Sequence, residues 1–342
     1  MSTTARKSGA QQSRPQNQAI TLRAGTDPRG ARSWRLLAGA VGAIIAVAAL
    51  LTWALSGDDD AAPAGTAADQ FMHVHGLETP AWSADGIFLS THQGLIKIVG
   101  DEWTYVSELP HDFMGFAAHP TESDVLYSSG HPAPGSLLRN PIGFMVSTDA
   151  GATWEVRSLE GEADFHAMAV GAAGDVIYGW NIAGEAKLYR SIDDGATWDR
   201  LDTPELHAAG GVLTLTAHPD DPDVVWAGTP AGLYRSTDQG MSWDAAATTP
   251  ATAIAIDPAD PDRILTYAPP PGDGLLESAD GGQTWVPSGW LLDADDDAVG
   301  HLAVDSADPQ VIYAGTYRED VYRSVDGGVT WESLAGAGVP TR

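Results

Sequence analysis

Ser324-Val325-Asp326-Gly327-Gly328-Val329-Thr330-Trp331 decides the fold, because the same eight-residue pattern occurs five times. The other copies run from Ser147 to Trp154 (STDAGATW), Ser191 to Trp198 (SIDDGATW), Ser236 to Trp243 (STDQGMSW) and Ser278 to Trp285 (SADGGQTW). Successive serines are 44, 45, 42 and 46 residues apart. A period in the forties marks one supersecondary unit stacked repeatedly. Each copy follows a short apolar stretch such as Gly232-Leu233-Tyr234-Arg235 and precedes another such as Asp199-Arg200-Leu201, so it reads as a hairpin turn. The Asp side chain bonds the backbone of its own turn, and the Gly supplies a backbone angle that other residues resist. The Trp opens the next strand and buries a large ring between units.

Working outward from the turn, the fourth repeat reads as strand Val212–Ala217, a Pro/Asp turn at His218–Asp223, strand Val224–Gly228, a loop, strand Gly232–Arg235, the eight-residue turn and a last strand Trp243–Ala246. Alternation of Leu213, Leu215 and Ala217 is that of a strand packed against neighbours. The same frame recovers repeats near 71–107, 112–157, 163–201, 208–246, 251–287 and 297–334. In the first, Gly100-Asp101-Glu102-Trp103 replaces the turn and keeps the Trp. The expected fold is all-β: a six-bladed β-propeller of four-stranded antiparallel blades over residues 71–342, preceded by one N-terminal transmembrane helix.

The pattern S-x-D-x-G-x-T-W is the Asp-box, and the chain resembles the Asp-box (BNR-repeat) β-propellers, the group that contains the sialidases. In that group the box lies away from the catalytic face, so the resemblance implies that Asp149, Asp193, Asp238, Asp280 and Asp326 are structural. Sialidases also carry an Arg-Ile-Pro motif and three arginines that clamp a carboxylate. This chain lacks the motif, and only Arg139 and Arg318 fall in loops of the face where propellers bind ligands. A true sialidase is therefore not expected. Phe71–Leu77, Thr91–Leu95, Asp112–Gly115 and Gly161–His166 further resemble exported bacterial propellers commonly labelled glycosyl hydrolases.

The formal charge is −28, unevenly spread. Residues 1–35 hold seven basic residues and one acid, leaving 11 basic and 45 acidic residues for the remainder. So acidic a surface repels the phosphate backbone and excludes nucleic acid as a partner. The polar stretch 1–35 reads as a disordered basic tail in the cytoplasm. Residues 36–55 (LLAGAVGAIIAVAALLTWAL) carry no charge over a length that spans a bilayer. Arginines before it and Asp58-Asp59-Asp60 after it place the N-terminus inside and the propeller outside. We read a retained signal anchor in the cell membrane, crossing once, in preference to a cleaved signal peptide. Residues 56–70 read as an acidic linker. With no Cys, neither a lipid anchor on Cys nor a disulfide is available.

Candidate chemistry collects on one face. Seven of the ten histidines lie between residues 73 and 166. Aligning the first strands puts His75, His166 and His301 at one channel-facing height, with Gly115, Thr214 and Ala253 in the other blades. His92 and His131 occupy equivalent loop positions in the first two blades. His73, His75, His92, His131, His166 and His301, with Met114 near them, make a candidate site for a transition metal, copper or zinc by ligand type. The plainer alternative is a polar channel lining. A third reading takes Asp112 and Asp164, which open neighbouring blades, as the carboxylate pair of a glycoside hydrolase acting on surface or environmental glycans. A fourth takes the face as a scaffold for an envelope protein. The acidic loop Asp293–Asp297 lacks the spacing of a calcium loop and reads as solvated. His119 and His218, in His-Pro turns, read as structural.

Overall fold

The computed structural model describes residues 64–341 apart from 84, 85, 172, 173, 175 and 294–296. The expected tail (1–35), membrane helix (36–55) and most of the linker lie outside the described residues. Among the described residues no helix is long and apolar enough to cross a membrane.

Six antiparallel sheets follow one another along the chain, each a meander. The first blade is β1 (Val74–Glu78), β2 (Ile87–Thr91), β3 (Gly94–Val99) and β4 (Glu102–Tyr105). The second is β5 (Asp112–Ala118), β6 (Leu126–His131), β7 (Phe144–Ser147) and β8 (Glu155–Ser158). The third is β9 (Phe165–Gly171), β10 (Val176–Asn181), β11 (Lys187–Ser191) and β12 (Asp199–Leu201). The fourth is β13 (Thr214–Ala217), β14 (Val225–Thr229), β15 (Gly232–Ser236) and β16 (Asp244–Ala247). The fifth is β17 (Ala253–Ile256), β18 (Ile264–Ala268), β19 (Gly274–Ser278) and β20 (Val286–Pro287). The sixth is β21 (Val299–Val304), β22 (Ile312–Thr316), β23 (Val321–Ser324) and β24 (Glu332–Gly336). A fifth short strand, β25 (Val339–Pro340), extends the last blade beyond the expected four.

Burial follows the position of a strand in its blade. The second strand of the fourth blade, Val225–Thr229, is buried throughout, while the outermost one, Asp244–Ala247, is largely exposed. Both faces of an inner strand meet protein, so its sequence runs apolar without alternation. Six apolar clusters each fill the gap between neighbouring blades, the last joining Ala303, Val321 and Ala335 of the sixth blade to Phe71, Leu89 and Trp103 of the first. Ring closure is also hydrogen-bonded: Phe71 N–H donates to the Gly338 carbonyl (2.8 Å), and within the sixth blade Gly338 N–H donates to the Glu319 carbonyl (3.0 Å). Of the stretch read as linker, residues 64–70 lie alongside β4, where Gly65 and Ala68 N–H groups donate to Tyr105 and Trp103 carbonyls.

The box turn has the same bonding in all five copies. In the first, Ser147 Oγ–H donates to Asp149 Oδ1 (2.8 Å) and Oγ accepts from Gly151 N–H (2.8 Å). Asp149 also accepts from the Thr153 N–H (2.8 Å) and hydroxyl (2.6 Å). Such bonds favour the ionised carboxylate. The bond from Thr284, and likewise that from Thr330, heads the causes that take Asp280 and Asp326 down to about 2. The box glycine combines two demands. Gly195 has φ +74°, and a Cβ there would stand 2.0 Å from Phe144 Cε1 of the preceding blade. The box Trp198 packs on Phe144 and Phe165, with centroids 5.1 and 5.0 Å away, and its Nε1–H donates to Ser158 Oγ at 3.0 Å. One turn therefore fixes the register within a blade and the seam to its neighbour.

Candidate functional site

The six innermost strands line an axial channel enclosing about 240 Å³. His75, His166 and His301, aligned in sequence, all line it. At its His-rich end, the entries to β1, β5 and β9 meet the loops that follow β2 and β6. Two groups of three metal-ligating side chains form there, His75–His92–Asp112 and His131–Asp164–His166. In each group the donor atoms lie within 4.8 Å of one another.

The first group joins two blades. His75 sits at a bulge in β1, where Val74 pairs with Thr91 and Gly76 with Ser90. A bulge re-aims one side chain. His92 lies in the tight turn Thr91-His92-Gln93-Gly94, held by the Thr91 hydroxyl donating to the Gly94 carbonyl (2.8 Å). Asp112 opens β5 in the second blade. Its Oδ1 is 2.7 Å from His92 Nδ1 and 3.8 Å from His75 Nε2. Neither contact is aligned as a hydrogen bond, so His75 Nε2 and Asp112 Oδ1 are buried without a hydrogen-bond partner among the described residues. Burial, and then the neighbouring rings of His92, His166, His73 and His301, hold His75 well below the usual histidine range, which keeps its ring neutral.

The second group joins the second and third blades. Asp164, 6% exposed, precedes β9. Its Oδ2 is 3.1 Å from His166 Nε2 and 3.7 Å from His131 Nε2. Oδ1 is buried and has no hydrogen-bond partner among the described residues. Burial acts to raise the Asp164 carboxyl, but the His166 bond and the charge of His166 and His131 outweigh it and hold the group below the usual range. His131 is oriented by Asn140, whose Oδ1 is 2.7 Å from Nδ1. The Asp164 backbone is fixed by its N–H donating to Asn181 Oδ1 (2.7 Å). Partners of this kind orient ligand side chains.

The structure gathers five of the histidines named from sequence, but not all into the two groups. His73 stands beside the first group, its ring centroid 4.6 Å from that of His92. Its Nδ1 is 3.7 Å from Glu319, and its backbone has φ +50°. His301 is in neither group: its Nε2–H donates to the Val74 carbonyl (3.0 Å), and burial lowers its pKa to about 4. Met114 is buried in β5, two residues past Asp112. Arg139 packs along Gly161, while Arg318 lies near Asp297 in the sixth blade, so the two arginines named from sequence do not converge. His119 and His218 each accept two backbone N–H bonds within their His-Pro turns, as expected of structural residues.

Sequence reasoning did not single out the supporting residues Asn140, Asn181 and Glu319. Glu319 had one available signal: it lies in the loop after β22, the counterpart of the His92 turn after β2. Nor did sequence reasoning join Asp112 and Asp164 to the histidines as one donor set. Lower in the channel, burial pushes the Glu78 carboxyl up to about 8, against the effect of the Ala118 backbone N–H.

Residues 107–260 match the family model described as photosynthesis system II assembly factor YCF48. No match is found among curated proteins. Among solved structures, the GH74 xyloglucanase of Xanthomonas campestris is 21% identical at a TM-score of 0.56, covering 80% of this chain and 46% of that one. The GH74 enzyme of Niastella koreensis is 14% identical at a TM-score of 0.50, covering 82% of this chain and 55% of that one. YCF48 from Cyanidioschyzon merolae is 16% identical at a TM-score of 0.42, covering 67% of this chain and 86% of that one. The chain spans about half the length of the two GH74 enzymes, and that likeness is one of fold. Five Asp-boxes and six meander blades make this chain a six-bladed Asp-box β-propeller, consistent with the BNR-repeat type, and the family match runs over its second, third and fourth blades and the first strand of its fifth.

Proposed function

We propose that the chain is a membrane-anchored, extracytoplasmic propeller that binds a transition metal through the His/Asp groups at one end of its channel. The observation that carries this reading is the gathering of His75, His92 and Asp112, and of His131, Asp164 and His166, into two compact donor sets, with His75 Nε2 buried and without a hydrogen-bond partner among the described residues. An unpartnered buried polar atom costs about 1–3 kcal/mol. A cation shared by the donors of each set would remove that cost. Two imidazoles and one carboxylate suit zinc, iron or another divalent ion, and copper in its divalent state. Met114, named beside the histidines from sequence, belongs to neither donor set. Neutral His75 is ready to bind without losing a proton first.

The hydrolase alternative needs a carboxyl held protonated near neutral pH to act as general acid. Asp164 is held ionised instead, so it suits a ligand role better. The test is metal content. Full-length protein purified without a His tag and dialysed should retain zinc, iron or copper at near-stoichiometric levels. Replacing His75 and His166 together by Ala should remove most of it while far-ultraviolet circular dichroism stays unchanged. Equal metal in the folded double variant would refute the site.

A further inference from the structure

We infer that the two groups act as a single two-ion centre that captures a small oxyanion, of the phosphate or carboxylate class, bridging both ions. This deepens the metal-binding reading and rests on it. The groups adjoin through the backbone itself: Asp112 of the first and His131 of the second are direct partners in the β5–β6 ladder. Directly opposed residues in an antiparallel pair hold their Cα atoms about 4.5–5.5 Å apart, with side chains on one face. A Cβ at Gly130 would stand 1.9 Å from the Asp112 carbonyl, so glycine there lets the two strands close up at this point. His75 of the first group and His166 of the second line the same channel.

Each group supplies three protein donors. A divalent transition ion takes at least about four, so each ion keeps an open position. The charges favour an anion in those positions. Among the described residues, the carboxylates paired with histidines of the groups and with His73 are Asp112, Asp164 and Glu319, the last facing His73. Two divalent ions exceed those three carboxylates by one positive charge. A net-acidic chain would thus present a cationic patch only when metal-loaded, and one oxyanion would fill an open position on each ion.

The experiment uses full-length protein freed of metal and titrated with Co²⁺, whose visible absorption reports coordination. We expect two Co²⁺ per chain and a spectral change on adding inorganic phosphate or, separately, acetate. Which probe binds more tightly tells phosphate from carboxylate as the class. His75→Ala and His166→Ala should each keep one Co²⁺ and weaken binding of the preferred probe at least tenfold. His75→Gln and His166→Gln, which keep side-chain bulk, repeat the comparison should an alanine variant misfold. Two Co²⁺ with no response to either probe, or probe binding unchanged in both single-group variants, overturns the bridging centre and leaves the metal reading intact. A single Co²⁺ lost from both variants overturns the two-ion arrangement. No Co²⁺ bound by the wild-type chain overturns the metal reading itself.

Discussion

At Glu78, burial and pH act against each other in a way a single substitution isolates. The carboxyl lies among first-strand residues of the channel with a folded pKa of about 8 against an ordinary 4.5. A raised carboxyl favours the fold only while protonated. Its contribution is complete below pH 4.5 and is lost as pH rises towards about 8. Glu78→Gln should therefore be more stable than wild type at pH 7.5, by roughly 1–3 kcal/mol, with the difference vanishing near pH 4. Urea unfolding at the two pH values checks this; an equal difference at both would show that Glu78 ionises normally. Sequence identified the histidines as a cluster because their positions repeat from blade to blade. It did not show which ring nitrogens face which carboxylates, because that depends on the β1 bulge and the His92 turn. Nor did it show that His301 spends Nε2 on the Val74 carbonyl, a contact across the closing seam of the ring.

The box turn was the most legible element, because its bonds are local: Ser, Asp, Gly and Thr lie within seven residues and bond one another. Its inter-blade role could be read only through the Trp, and the partners Phe144 and Ser158 required the fold. Gly195 allows a test of that seam. Gly195→Ala imposes both an unfavourable φ and a Cβ 2.0 Å from the buried Phe144 ring, and should cost roughly 2–3 kcal/mol. Gly184, with φ +69° and open space around it, serves as the control. There Ala should cost only about 1 kcal/mol. Equal losses in chemical denaturation would mean that φ alone sets the requirement and that the ring contact is slack. The fifth strand of the last blade was not legible. It is a two-residue return on β24, pairing Val339 with Gly336 and Pro340 with Ala335, and has no counterpart in the repeat frame.

Across the whole molecule, a regular period with five copies of one turn specified the number of blades, since a closed ring repeats one inter-blade packing. The site was less legible because it is where the repeat is broken: the aligned first-strand position carries His75, His166 and His301 in three blades and Gly115, Thr214 and Ala253 in the others, and the donors Asp112 and Asp164 lie outside that alignment. Each donor group draws on two blades, His75 and His92 with Asp112, and His131 with Asp164 and His166. Bound ions would thus tie the first three blades together in a chain without disulfides. The central claim is that ions sit at these two places, and anomalous X-ray diffraction tests it most directly. Crystals of protein grown with zinc should show anomalous peaks at the zinc edge about 2.0–2.2 Å from the His and Asp donor atoms of both groups. Peaks confined to surface carboxylates, or none at His75, His92 and Asp112, would contradict the account.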